Sequence, residues 1–295
     1  MAVKSELTDI MTVASKEFLD DIRSKRLLLI GIFYIGIGLL LSGGIWFMYT
    51  KGWLPPTIFA TSTPADIVLS VMNMASILLM ILAIILPSDS ISQEKSSRTI
   101  YQLLSKPVRR RSVIIGKYLG CLAVISSLFI ASAILSYVLT TVLTGVLPGI
   151  GHVAAIVLSL LAMLLLFAVY VAIGILVSTV TRNPLVSIVV SLLVWVGFLA
   201  IDIAAFILGI FSLMGNAVTS AVTGGVVDPY SLYPWYVKIV MWIDPGSHNV
   251  MGQVLNGSSS GLTSGLPLWA NVVILLAYTC IALAASIVIF ERQDL

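Results

Sequence analysis

Charged side chains are scarce in this sequence. Asp, Glu, Lys and Arg together make up 10% of the 295 residues, where soluble globular domains carry about 25%. That shortage excludes a water-facing surface over most of the chain. Histidine and cysteine each occur twice, and Cys121 and Cys280 both sit inside apolar runs. Neither a disulfide framework nor a histidine-rich metal centre is indicated. No G-x-x-x-x-G-K-[ST] phosphate loop occurs, so no nucleotide site of that kind can be read in the chain. No Ser/His/Asp, His-rich or paired-carboxylate constellation stands at one depth, which argues against an integral-membrane enzyme. The net charge of +3 is too small to point to nucleic acid.

What fills the chain instead is apolar: 59% of residues are hydrophobic and mean hydropathy is +1.10. We read an all-α polytopic membrane protein, a single transmembrane domain over residues 1–295. Spans are expected at 27–49, 65–86, 113–142, 153–177, 185–211 and 268–290, against the roughly 20 residues a bilayer needs. The third is long, so its first turns should extend beyond the bilayer. The opening residues do not read as a cleavable signal peptide, because their apolar positions are periodic rather than contiguous. Leu7, Ile10, Met11, Ala14, Phe18 and Ile22 share one face, with Asp9, Lys16, Glu17, Asp20 and Asp21 elsewhere. That is the pattern of an amphipathic helix lying at the headgroups, expected over 1–26.

The polar interruption at 87–112 is the informative stretch. Ser90 and Gln93 stand in capping-box spacing, which predicts a helix from Ile91. Ile100, Leu103 and Leu104 form its apolar side, while Glu94, Lys95 and Arg98 take the wet side. Pro107 should end it near Ser105. Arg109, Arg110 and Arg111 then precede the next span. With both termini inside, every Lys and Arg except Lys51 and Lys238 is cytoplasmic, 14 of 16, as the positive-inside rule requires. The segment 212–267 is then external and carries Tyr230, Tyr233, Trp235, Tyr236 and Trp242, which favour the interface. Trp235 to Ile243 is too short to cross; with His248 to Leu255 it predicts short re-entrant or interfacial helices, broken at Asp244-Pro245-Gly246.

Ionisable groups at membrane depth are the remaining candidates. A carboxylate such as Asp202 costs about 2.5–3.5 kcal/mol at a span centre. It is a candidate translocation-pathway residue, or else a carboxylate reaching the outer interface. Asp66, at the start of span two, reads as an interface residue. His152 has no ligating neighbour. His248 follows Asp244 at i+4, but two ligands do not make a metal site. Gly116 and Gly120 form a GxxxG pair, a packing motif of modest specificity.

The polar stretch resembles the conserved hairpin of ABC-2-type transporter permeases. The matching residues are Asp89, Glu94, Lys95, Thr99, Leu103, Leu104, Pro107, Arg110, Gly116, Lys117 and Gly120. Asp244-Pro245 resembles an "NP" in that family's external segment, and Phe290, Arg292, Asp294 and Leu295 resemble its "F.RRDL" ending. Two positions depart from the pattern: Arg98 stands where many relatives have glycine, and Asp244 replaces the commoner asparagine. The resemblance implies an amphipathic elbow helix, six spans and a coupling helix between spans two and three that sits in a cleft of a separate ATPase. Glu94, Lys95, Arg98, Thr99, Leu103 and Leu104 would then be the ATPase-coupling residues. It further implies no cofactor in this chain, with ATP and Mg bound by the partner ATPase. Other implied partners are a second copy or a homologous permease, membrane lipid, and an external accessory protein. Spans one, two and five of two subunits would enclose the substrate route, in a multi-pass protein of the cell membrane working as an exporter. The competing class is an ion- or proton-coupled secondary transporter using Asp66 and Asp202.

Overall fold

A computed structural model describes residues 2–53, 64–97, 109–145, 150–223, 235–248 and 266–293. All regular structure among them is helical: α1 (Ala2–Arg23), α2 (Lys25–Thr50), α3 (Pro64–Ile85), α4 (Ser92–Ser96), α5 (Arg110–Thr144), α6 (Ile150–Val180), α7 (Pro184–Thr223), α8 (Trp235–Ile243) and α9 (Leu268–Arg292). Among the described residues, six stretches are long and apolar enough to cross a membrane. Each overlaps one of the six stretches expected from hydropathy, the second running on to Ser96. The differences are at the ends: α7 runs on to Thr223 rather than stopping near residue 211. The 35-residue α5 is about 52 Å long at 1.5 Å per residue, well beyond the roughly 30 Å hydrocarbon layer.

Helices α3 and α6 form the centre of the bundle. Leu79, Ala83 and Ile84 of α3 and Phe167, Val169 and Val171 of α6 are fully buried. Phe129 of α5 meets Phe167 edge-on, with ring centroids 5.1 Å apart. A Cβ at Gly174 would lie 2.5 Å from both the Ile84 carbonyl oxygen and Pro87 Cγ. Glycine there lets the end of α3 and the Leu86–Ser88 turn rest directly on α6. Around this centre, α2, α7 and α9 leave large apolar side chains facing outward, among them Phe33, Leu40, Leu193 and Ile281. Apolar surface of that extent suits a hydrocarbon surrounding.

Helix α1 is seated by the GxxxG pair. A Cβ at Gly116 would lie 2.6 Å from Val13 Cβ, and one at Gly120 would lie 2.7 Å from Glu17 Cβ. Small residues allow this close backbone approach. Glu6 meets Arg109 and Arg111, and Glu17 meets Lys117 further on, so α1 runs alongside the first turns of α5 in the same direction. Its Leu7, Met11 and Ile22 remain exposed, an apolar strip not covered by the bundle.

Several expectations fall at or outside the limits of the described residues. The continuation of the α4 helix through Arg98, Thr99, Ile100, Leu103 and Leu104 to Ser105 lies outside them, as does most of the stretch His248 to Leu255. The short helix before the Asp-Pro break forms over Trp235–Ile243, where the sequence places it.

Candidate functional site

The polar groups gather at two places, one at the C-terminal end of α3 and one against its middle turns. At the end nearer the termini, the segment 86–97 is tied to the bundle from every side. Lys117, whose side chain is only 3% exposed, reaches Glu17 of α1 at 2.8 Å and Glu94 of α4 at 3.0 Å. It also donates to the Ser90 carbonyl at 3.2 Å. A lysine buried this deeply is tolerated because two carboxylates and a carbonyl satisfy its three donors. On the next residue along α4, the Lys95 ammonium donates to the Thr179 carbonyl at the end of α6 and lies 5.9 Å above the Phe290 ring of α9. Gln293 donates to the same Thr179 carbonyl at 2.9 Å. Arg110 donates to the carbonyls of Phe290, Glu291 and Gln293, the last at 2.8 Å, closing the C-terminal end of α9, where orphan carbonyls need donors.

The result is a closed circuit of polar contacts. It runs from α1 through Lys117 to α4, from α4 to the ends of α6 and α9, and back through Arg110 to α5. Glu94 and Lys95 were expected on the wet side. They are instead half-buried and turned into the bundle, because Lys117 and the α6 carbonyls need partners; Gln93, Ser96 and Ser97 are the exposed positions. Thr99, Arg98, Leu103 and Leu104 lie outside the described residues.

The capping box does not form. The first helical residue is Ser92, and Ile91 at the N-cap makes no side-chain cap. The Ser90 hydroxyl donates backwards to the Pro87 carbonyl at 3.0 Å. The amides at the start of α4 are satisfied from another helix: Ser178 Oγ of α6 accepts both the Ile91 and the Ser92 N–H, each at 3.0 Å. Sequence spacing could not show this, since the cap comes from 87 residues away. Ser187 of α7 also donates to the Ser88 carbonyl.

Beside this circuit lies a cavity of 650 Å³ lined by Glu17, Asp20, Asp21, Asp89 and Glu94 together with Lys16 and Lys117. Asp21 stands among these carboxylates. Burial, then the charges of Glu17 and Asp89, push its carboxyl up to about 7, against the pull of Lys117.

The second site surrounds Asp202. It lies roughly 27 Å along α7 from Pro184, at 1.5 Å per residue, and the structure brings it against Asp244 in the turn after α8. The two carboxyls are within hydrogen-bonding reach of one another. Asp244 is fully buried. Its Oδ2 accepts the Ser247 N–H at 2.8 Å, capping the Gly246–His248 turn, with Pro245 at the first position, where a missing N–H costs nothing. Burial and the neighbouring Asp202 hold the Asp244 carboxyl above the usual carboxylate range. His248 is also fully buried, and both its ring nitrogens are occupied, by Asn271 Oδ1 at 2.9 Å and the Trp242 carbonyl at 3.0 Å. It locks α8 to α9 and is not a free ligand. Among the described residues no cluster of three metal-ligating side chains occurs. Asp66 falls in the first turn of α3.

The sequence reading missed Lys117, Glu17 and Ser178 as members of the first site, and Asp244 as the partner of Asp202. Lys117 had a legible signal, because a cation inside an apolar run requires counter-charges. The others are long-range pairings that no spacing rule encodes.

Six apolar helices, with ionic groups drawn together mainly at one end, define a polytopic helical membrane protein rather than a soluble enzyme. The chain belongs to the ABC-2 family: the sequence model described as ABC-2 family transporter protein matches residues 11–295. It is also similar to the Pseudomonas aeruginosa protein named "Probable ABC transporter permease protein NosY", at 33% identity over 112 residues. That match covers 38% of this chain and 38% of the relative's length.

Proposed function

We propose that this chain is the permease subunit of an exporter in the cell membrane, with both termini cytoplasmic and ATP hydrolysis carried out on separate ATPase subunits that bind ATP and Mg. The observation that supports this most directly is the polar circuit around α4. A membrane subunit driven by a separate motor needs a short element that is rigidly joined to the spans it must move. Glu94, through Lys117, joins α4 to α1 and α5; Lys95 joins it to α6 and α9. A push on the exposed residues Gln93, Ser96 and Ser97 would therefore be felt by four helices at once. Arg98, Thr99, Leu103 and Leu104 complete the ATPase-coupling set in this reading.

The same reading makes α1 the elbow helix, with its exposed Leu7, Met11 and Ile22 in the headgroup layer. Two permease copies, or this chain and a homologous one, would enclose the substrate route among lipid, with Asp202 facing it. The segment between α7 and α9 would meet an accessory protein outside. The similarity to a protein named as an ABC transporter permease supports the same assignment.

The test is purification of the chain from native membranes, with identification of stoichiometric partners and an ATPase assay. Recovery of a cassette ATPase, lost when Glu94 to Arg98 is altered, is the expected result. Glu94→Ala and Arg98→Glu should each lower substrate-stimulated hydrolysis while membrane insertion is retained; unchanged coupling in both would sink the coupling assignment. The second reading, an ion- or proton-coupled carrier, is favoured by one observation, the pairing of Asp202 with the buried Asp244. A chain that purifies without any nucleotide-hydrolysing partner would put that reading first.

A further inference from the structure

A second cavity, of 360 Å³, opens between α3, α6, α7 and the turn after α8. That is within the roughly 300–1,000 Å³ range of small-molecule sites. Its walls are of two kinds. Trp195, Tyr170, Met80 and Met241 supply a broad aromatic and apolar surface. Asp202 and Asp244 supply carboxyls at one side, beside Gly246. A Cβ at Gly246 would lie 3.0 Å from Oδ2 of both, so glycine keeps the backbone from filling the space between them.

Two carboxyls in contact do not both ionise readily; sharing one proton leaves the pair with a single negative charge. No basic side chain among the described residues is paired with either. Asp244 Oδ1 is buried and receives no hydrogen bond from the described residues, although a fully buried carboxylate oxygen calls for a donor. A small metal ion is a poor occupant, since three ligating side chains are not assembled here. A positive charge carried on a flat apolar body suits these walls: its cationic face meets the Asp202 carboxyl, with the buried Asp244 behind it, and its rings lie against Trp195 and Tyr170.

We propose that this cavity is a binding site for a monovalent organic cation of aromatic character, with the Asp202–Asp244 pair as its counter-charge. The inference rests on Asp202 standing on the substrate route, and it names the chemical class of molecule that the route accepts. Asp202 sets the charge preference, Asp244 is held in place by its own cap on Ser247, and Trp195 and Tyr170 set the shape preference. Along α3 the lining extends from Asn73 to Met80, about 14 to 24 Å from the start of that helix at Pro64. The site therefore reaches well into the bundle.

The full chain, purified and placed in lipid nanodiscs without any ATPase, would be titrated with the fluorescent cation dimethylaminostyryl-N-methylpyridinium and with its uncharged counterpart dimethylaminostilbene. Saturable binding of the cation, at least about tenfold tighter than the stilbene and so worth about 1.4 kcal/mol, is expected. Asp202→Asn combined with Asp244→Asn should abolish that preference and leave stilbene binding unchanged, whereas Asp202→Glu should retain it. The charge-retaining variant keeps the test decisive if the asparagine variant does not fold. Equal affinity for the two probes, no saturable binding of the cation, or a preference that survives the paired asparagine substitutions would each overturn the site. The outcome is separable from the transporter reading. A chain that recruits an ATPase but shows no preference for the cation overturns the site alone. A chain that prefers the cation but recruits no ATPase overturns the transporter reading alone.

Discussion

The Ser178 hydroxyl accepts the backbone N–H of Ile91 at 3.0 Å. The same oxygen accepts the Ser92 N–H, so the start of α4 is capped by the last turn of α6 rather than by its own sequence. Helix α4 has only five residues, too few to be stable on its own. Its persistence depends on what it is fastened to.

Removing that hydroxyl should loosen α4 selectively. Loss of a helix N-cap costs about 1 kcal/mol, and here two amides lose their acceptor together. In Ser178→Ala, hydrogen exchange at Ile91 and Ser92 should quicken several-fold, with the α3 and α6 core amides unaffected and ATPase stimulation weakened. Ser178→Thr, which keeps an oxygen at the site, should remain close to the parent. Unaltered exchange at both amides would show that the cap is not what holds α4.

The spans were legible in the sequence because hydropathy and length decide them: a bilayer leaves few alternatives to a helix of about 20 apolar residues. The short α8 was legible too, since Pro245 follows Asp244 directly and an Asp-Pro pair both ends one helix and starts the next turn. The site was harder. Ser90 and Gln93 have capping-box spacing, yet Ser90 bonds Pro87, the Gln93 N–H goes to the Asp89 carbonyl, and Ser178 takes the Ile91 and Ser92 amides. Glu94 and Lys95 look like wet-side charges on a helical wheel, and only the buried Lys117 and the Thr179 carbonyl explain why they turn inward. Gly116 and Gly120 were visible as a packing motif, but the partner they seat, Val13 and Glu17 of α1, lies more than a hundred residues away.

Lys117 is the post on which three segments are hung. Its side chain is nearly inaccessible, while Glu17 and Glu94 are each partly open, at 16% and 20% exposure. Lys117→Met would leave two half-buried carboxylates facing each other without a cation, and losing one member of a buried ionic set costs on the order of 3 kcal/mol. A lower unfolding midpoint in detergent and detachment of α1, read by protease cleavage near Arg23, are the expected results. Adding Glu17→Gln and Glu94→Gln to Lys117→Met should recover part of the midpoint, because the stranded charges are then gone. Equal midpoints for the parent and the single variant would show that the ion pairs contribute nothing to holding these helices.

Asp21 gives the molecule a pH dependence whose sign can be worked out. Its carboxyl is pushed up to about 7 by burial and by Glu17 and Asp89, whereas an unfolded aspartate titrates near about 4. Between those values the folded chain holds a proton that the unfolded chain has lost, so raising the pH favours unfolding. The loss accumulates from about pH 4 and levels off above about pH 7. Asp21→Asn removes the titration. It should therefore be more stable than the parent above neutrality, with the advantage shrinking as the pH falls and vanishing once aspartate is protonated in both states. The strain relieved is local, at the end of α1 where it faces Asp89, so protease protection of the α1–α2 junction should follow the same profile. Thermal unfolding of both proteins across this pH range is the measurement. Curves that run parallel throughout would mean that Asp21 is as well solvated folded as unfolded, and that the carboxylates around the 650 Å³ cavity do not hold it protonated.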